Sequence, residues 1–303
     1  MPDDRGGESP AYYASHGAIT DPGPRAADFA GLPADVRALT RAVQGLVFHY
    51  MADETILGWR PPKDRLPEID TRRVRAMLAR LAALDPRPLG EARPPERRLI
   101  GCCRDFTVLL CAMARHHRIP VRARIGFARY FVPDFHVDHE IVEWWDSGQA
   151  RWRLVDPGLS ERHVAHYRIG FDPFDVPRDQ FIVGGRAWQL CRTGVADPKT
   201  FGLVPDLPQP RGIGFVRGHV IQDLAALNKM ELLLWDVWGL MQAELDTGLA
   251  LVDEAAEFTQ GADGLADVRR LYATPGLAVP ERILSLSPAV GRREIALGAE
   301  LAG

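Results

Sequence analysis

Apolar residues fall at Val36, Leu39, Val43, Leu46 and Val47. That spacing predicts an amphipathic helix over residues 35–51 with one buried face. The same period predicts a second helix over 71–84. Proline-rich, charged segments at 58–67 and 85–96 read as loops. After Gly101 the chain turns apolar almost all round, through Val108, Leu109, Leu110, Ala112 and Met113, until Ile119-Pro120 stops it. A helix of that kind belongs in the middle of a domain.

The period then changes from 3.6 to 2. Val121, Ala123, Ile125 and Phe127 alternate mostly with arginines, which predicts a half-buried strand over 121–131. Residues 139–145 and 151–156 predict two more, joined by a turn at Asp146-Ser147-Gly148-Gln149 and closed by Pro157-Gly158. Further on, 179–190 reads as a short helix, 198–214 as a loop and 220–245 as a long, largely apolar helix. The Ala- and Leu-rich remainder breaks at Pro275-Gly276. The expected organisation is a flexible leader over 1–32, partly packed through Tyr12 and Tyr13, an α+β core over 33–190, and a mainly helical extension over 191–303 packed on the core.

Composition narrows the function classes. The chain has 303 residues, 46% of them hydrophobic and 25% charged, with a formal net charge of −3. Without a basic excess there is nothing to neutralise phosphates, so nucleic acid is not expected as a partner. No stretch reaches the length and apolarity of a membrane span, so no membrane partner is expected either. Residues 1–25 lack the basic start and apolar run of a signal peptide, so a cytoplasmic location is expected. The four cysteines, Cys102, Cys103, Cys111 and Cys191, are spaced neither as a disulfide framework nor as a zinc ribbon. They read as free thiols.

One of those thiols is placed for chemistry. Cys103 stands at the start of the buried helix, where unpaired N–H groups and the helix dipole favour a thiolate and can hold an oxyanion. His139 opens one predicted strand and Asp156 ends its neighbour. Antiparallel pairing would bring them together, with the carboxylate accepting the second imidazole N–H.

Four segments carry a resemblance: Gly101-Cys102-Cys103-Arg104-Asp105, then Ile119-Pro120-Val121-Arg122, then the strand opened by His139, then Trp152-Arg153-Leu154-Val155-Asp156-Pro157. Together they resemble the transglutaminase-like core of the papain-like cysteine enzyme superfamily. The resemblance spans about residues 98–160 and implies an α+β fold with the nucleophile helix packed on an antiparallel sheet. It also implies Cys103 as nucleophile, His139 as base and Asp156 as the orienting acid. The implied reaction forms a thioacyl-enzyme from an amide, ester or thioester and passes the acyl group to water or an amine. A small-molecule, peptide or acyl-carrier-bound substrate would serve, with no metal and no cofactor. Arg118 stands where the family usually has a small residue. The second oxyanion donor falls among Gln44, His49, Tyr50 and Trp59. The alternative reading is a non-catalytic binding or scaffold protein on the same fold.

Other residues invite weaker readings. His136, Trp188, Asp223 and Glu231 are candidate substrate-binding residues. The two acids lie within an apolar stretch, where a carboxylate needs a partner such as a buried arginine or a substrate amine. Cys111 and Cys191 read as buried and inert, and Arg104-Asp105 as an ion pair bracing the helix start. His163 and His166 have a spacing compatible with a metal, but no dedicated ligand set accompanies them.

Overall fold

The computed structural model describes residues 10–207, 210–261 and 264–302. Helix α1 (Val36–Gln44) is capped by the Asp35 carboxylate, which accepts the Ala38 N–H at 2.8 Å. The predicted helix is cut short at Gly45, and strand β1 (Val47–His49) follows. After helices α2 (Asp53–Leu57) and α3 (Val74–Leu84) comes β2 (Leu99–Gly101), which pairs in parallel with β1. The apolar Val47 continues the helical period yet sits in a strand, because its partner Leu99 is distant in sequence.

Helix α4 (Cys103–His116) is buried along nearly its whole length, as its uniform apolarity requires. It leads into β3 (Val121–Ala128), β4 (His136–Asp146) and β5 (Arg151–Val155), an antiparallel meander. Helix α5 (Glu161–Tyr167) follows, and β6 (Phe181–Val183) adds a strand beside β3, where a short helix was expected to have begun. Helix α6 (Gly184–Arg192) starts directly after it. Strand β7 (Phe201–Gly202) pairs in parallel with β4 and completes a five-stranded sheet. Helices and an antiparallel meander in one core are the expected α+β arrangement.

The extension departs from a helical reading in two ways. Its long helix, α7 (Ile213–Leu227), begins seven residues before the expected start and stops at Asn228, with Lys229 at a left-handed φ of 61°. It also holds a three-stranded sheet, β8 (Asp236–Val237), β9 (Arg282–Ser287) and β10 (Gly291–Ala296), beside helices α8 (Leu249–Gly261), α9 (Leu265–Tyr272) and α10 (Leu297–Ala302). The expected flexible leader is corrected as well. Residues 1–9 lie outside the described residues, but Tyr13, Ile19 and Phe29 are buried in the main core. The Tyr13 hydroxyl donates to Leu227 O at 2.9 Å, which ties this segment to the end of α7. Among the described residues no helix is long and apolar enough to cross a membrane.

A network of buried charge joins core to extension. Arg124 on β3 pairs with Glu143 on β4 and with Asp223 on α7, each at 2.9 Å. Asp223 also accepts the Ile125 N–H at 2.8 Å, a backbone donor of β3. Both acids are fully buried, and removing one partner of such a pair strands the other charge.

Candidate active site

Cys103 is the first residue of α4, and its neighbour Cys102 caps the helix. The Asp105 carboxylate reaches back to accept the Cys102 N–H at 2.7 Å, a capping-box contact that fixes the first turn. Gly101 makes room for it. A Cβ there would lie 2.6 Å from Asp105 Oδ2, so this glycine serves close approach rather than a special backbone angle. Arg104 turns away and donates to the carbonyls of Thr71, Arg72 and Glu231, and it also pairs with Asp105 at 3.2 Å. The charge beside the thiol therefore braces the helix start.

His139 on β4 and Asp156 just past β5 come together as antiparallel pairing predicts. His139 Nε2–H donates to Asp156 Oδ2 at 2.8 Å. The Tyr130 hydroxyl donates to the same oxygen at 2.7 Å, and the Gly158 N–H donates to Oδ1 at 2.9 Å. With Nε2 taken, Nδ1 is the ring nitrogen left for the Cys103 thiol, which is in hydrogen-bond contact with His139. Burial opposes charge on the ring, but the Asp156 carboxylate and the contact with Cys103 prevail and raise His139 to about 10. The Cys103 thiol is held well below its ordinary value by hydrogen bonds from Cys102, His139 and His49, against the opposing effect of burial. The same contact drives the Cys102 thiol well up. The two adjacent cysteines thus shift in opposite directions, Cys103 down and Cys102 up.

Glu140, next along β4, is fully buried with neither carboxylate oxygen hydrogen-bonded. Burial pushes its carboxyl well up, which disfavours a negative charge beside Cys103 and His139.

Of the four residues considered for the second oxyanion donor, His49 and Tyr50 line the cleft. Gln44 instead donates to Leu159 O at 3.1 Å, and Trp59 packs edge-on against Phe48. His49 is the better placed. Its Nδ1 accepts the N–H groups of Met51 and Ala52, both at 3.2 Å. A nitrogen that accepts has no proton to give, so the ring proton sits on Nε2, the atom left to meet Cys103. Asp53 steadies this loop. Its Oδ2 accepts the His49 backbone N–H at 2.8 Å, and its Oδ1 lies 2.7 Å from His163 Nε2. His163 Nδ1 lies 2.6 Å from Ser160 Oγ, so both of its nitrogens serve this strap.

Four residues expected to bind substrate do not line the cleft. His136 stacks on Phe201, with ring centroids 4.0 Å apart. Trp188 is buried and donates to Asp253 at 2.6 Å. Asp223 is committed to Arg124 and the Ile125 N–H, and Glu231 pairs with Arg115 at 2.8 Å. The physical reason is common to the two acids: a buried carboxylate takes whichever cation the fold brings to it, and here the fold brings arginines. Burial pushes the Cys111 thiol to about 12 and the Cys191 thiol to about 11.

The cleft is a cavity of about 680 Å³ with Cys103, His139, His49 and Tyr50 in its wall. On its other side stands His219 of α7, whose Nε2 lies 2.7 Å from Asp138 Oδ1. Residues 73–157, a segment that holds Cys103, His139 and Asp156, match a family model described as the transglutaminase-like superfamily. No curated protein and no solved structure matches the chain.

Proposed function

We propose, from the match of residues 73–157 to the transglutaminase-like superfamily model and from the geometry around Cys103, that this protein is a cysteine-dependent acyl-transfer enzyme. The observation that carries the reading is the contact chain Cys103–His139–Asp156, in which the thiol is driven down and the imidazole up. That is the ion pair an activated cysteine nucleophile needs.

The Cys103 thiolate attacks the carbonyl carbon of an amide, ester or thioester. A carbon–sulfur bond forms, and the oxyanion takes hydrogen bonds from the start of α4 and from His49 Nε2–H. The bond to the leaving group then breaks, and the leaving group departs with the proton of His139. Neutral His139 next removes a proton from water or an amine as that acceptor attacks the thioacyl carbon. The carbon–sulfur bond breaks and the thiolate–imidazolium pair is restored. Throughout, Asp156 and Tyr130 hold the ring in register.

Brief iodoacetamide treatment at neutral pH followed by mass spectrometry tests the reading. Selective alkylation of Cys103, ahead of Cys102, Cys111 and Cys191, and its loss in His139→Ala are expected. Equal, slow modification of all four thiols would point instead to a scaffold on this fold.

A further inference from the structure

The cavity extends well beyond the thiol, and the lobe of it walled by the extension is mostly apolar. Phe215, Trp235, Val237, Met241, Leu286 and Pro288, all from the extension, stand in its wall. A volume near 680 Å³ is that of a site for a whole small molecule, larger than a scissile bond alone requires. Its rim is greasy too. Met51 and Leu286 both line it and are 43% and 47% exposed, among the few large apolar side chains that the described residues leave so open to solvent.

A second, independent feature is the face that α7 turns to the cavity. Gly214, Gly218 and Gln222 recur every four residues, with Phe215 and His219 beside them, so one stripe of the helix lines the space. A glycine inside a helix is less favourable than alanine and needs a reason. At Gly218 the backbone is ordinary helix, and a Cβ would meet nothing within 4 Å. Neither packing nor backbone angle therefore asks for glycine there, and what its absent side chain leaves is room in the cavity.

We propose that this lobe binds the acyl group itself, and that the group is an extended alkyl chain presented with its carbonyl at Cys103. The inference rests on the acyl-transfer reading above and goes beyond it by naming the donor's chemical class. The lobe is continuous with the nucleophile, so its occupant carries the electrophilic carbonyl. Its wall is mainly apolar, and its polar groups are engaged within the protein, His219 with Asp138 and Gln222 with the carbonyls of Leu234 and Asp236, so the remainder of that occupant is hydrocarbon. Acylation then joins the Cys103 sulfur to the carbonyl carbon, and the leaving group departs with the electron pair of the broken bond.

A series of p-nitrophenyl esters from acetyl to octanoyl, with the same leaving group throughout, tests the proposal. Nitrophenolate release gives the acylation rate, and intact mass places the acyl group on Cys103. The second-order rate is expected to rise about fourfold per added methylene. Gly218→Phe, which fills the open space, is expected to reduce the octanoyl-to-acetyl ratio at least tenfold, with circular dichroism and thermal unfolding confirming that the variant is folded. A flat or falling series in the wild-type protein, with Cys103 still acylated, would overturn the alkyl site and leave the acyl-transfer reading standing. A steep series undiminished in folded Gly218→Phe would overturn it equally. Absence of any acyl adduct on Cys103 with every donor would overturn both. Should Gly218→Phe fail to fold, the wild-type series alone decides.

Discussion

Two arms of the chain bring a histidine to the same sulfur, and they differ in what stands behind the ring. Behind His139, on the β4–β5 arm, is a carboxylate that accepts its N–H. Behind His49, at the end of β1, are two backbone N–H groups that occupy its lone pair. The first ring is charged by its support and can pass a proton on. The second is left only a donor, Nε2–H, facing the Cys103 sulfur. In the proposed mechanism identical side chains at one atom would thus take separate tasks from their rear partners, a division that neither residue type nor distance to Cys103 would reveal.

The sharpest way to break this comparison is to remove the proton carrier. His139→Ala is expected to lower acyl transfer by about 10²–10⁴-fold. It should also change the pH dependence of Cys103 alkylation. In the wild-type protein the lowered thiol pKa is expected to keep the rate high and only weakly dependent on pH around neutrality, with a fall on the acid side as the thiolate takes a proton. As pH rises through about 10, His139 gives up its proton and turnover of amide donors is lost. The variant should instead show a rate that climbs about tenfold per pH unit toward the value of an ordinary thiol. A flat profile in His139→Ala would mean that the helix start alone activates the sulfur.

Removing the donor should cost less and act elsewhere. His49→Ala is expected to lower kcat by about 10²–10³-fold, as loss of one oxyanion donor does. Alkylation, which has no oxyanion, should slow less than in His139→Ala, and His49→Asn should recover part of kcat by supplying an N–H. Equal losses in both assays would assign His49 to thiol activation instead. The smallest effect is expected from the strap. His163→Ala leaves His49 in place but frees Asp53, and a fall in kcat of about tenfold, below the roughly 10²-fold that a 1 Å misplacement can bring, is expected from steady-state rates.

The β4–β5 arm was legible in the sequence because its logic is local. A uniformly apolar run after Gly101 marks the helix that carries Cys103, and alternation over 121–156 marks a meander whose strand ends place His139 against Asp156. The β1 arm was hidden because Val47 prolongs a helical period while its true partner, Leu99, lies far along the chain. For Asp223 and Glu231 the sequence left a buried arginine and a substrate amine both open, and the structure supplies Arg124 and Arg115 from the core. Such a pairing leaves no periodic trace. The cavity stripe of α7 does leave one, at positions 214, 218 and 222, but glycines at helical spacing gain meaning only once a space is seen beside them.

That helix carries two duties on different sides. Val216, Val220, Asp223 and Leu224 are wholly buried, whereas Gly214 and Gly218 border the chamber. Substitutions on the chamber side would therefore reshape the space without touching the buried side, so that scaffold and vessel are written on one rod, a fraction of a turn apart.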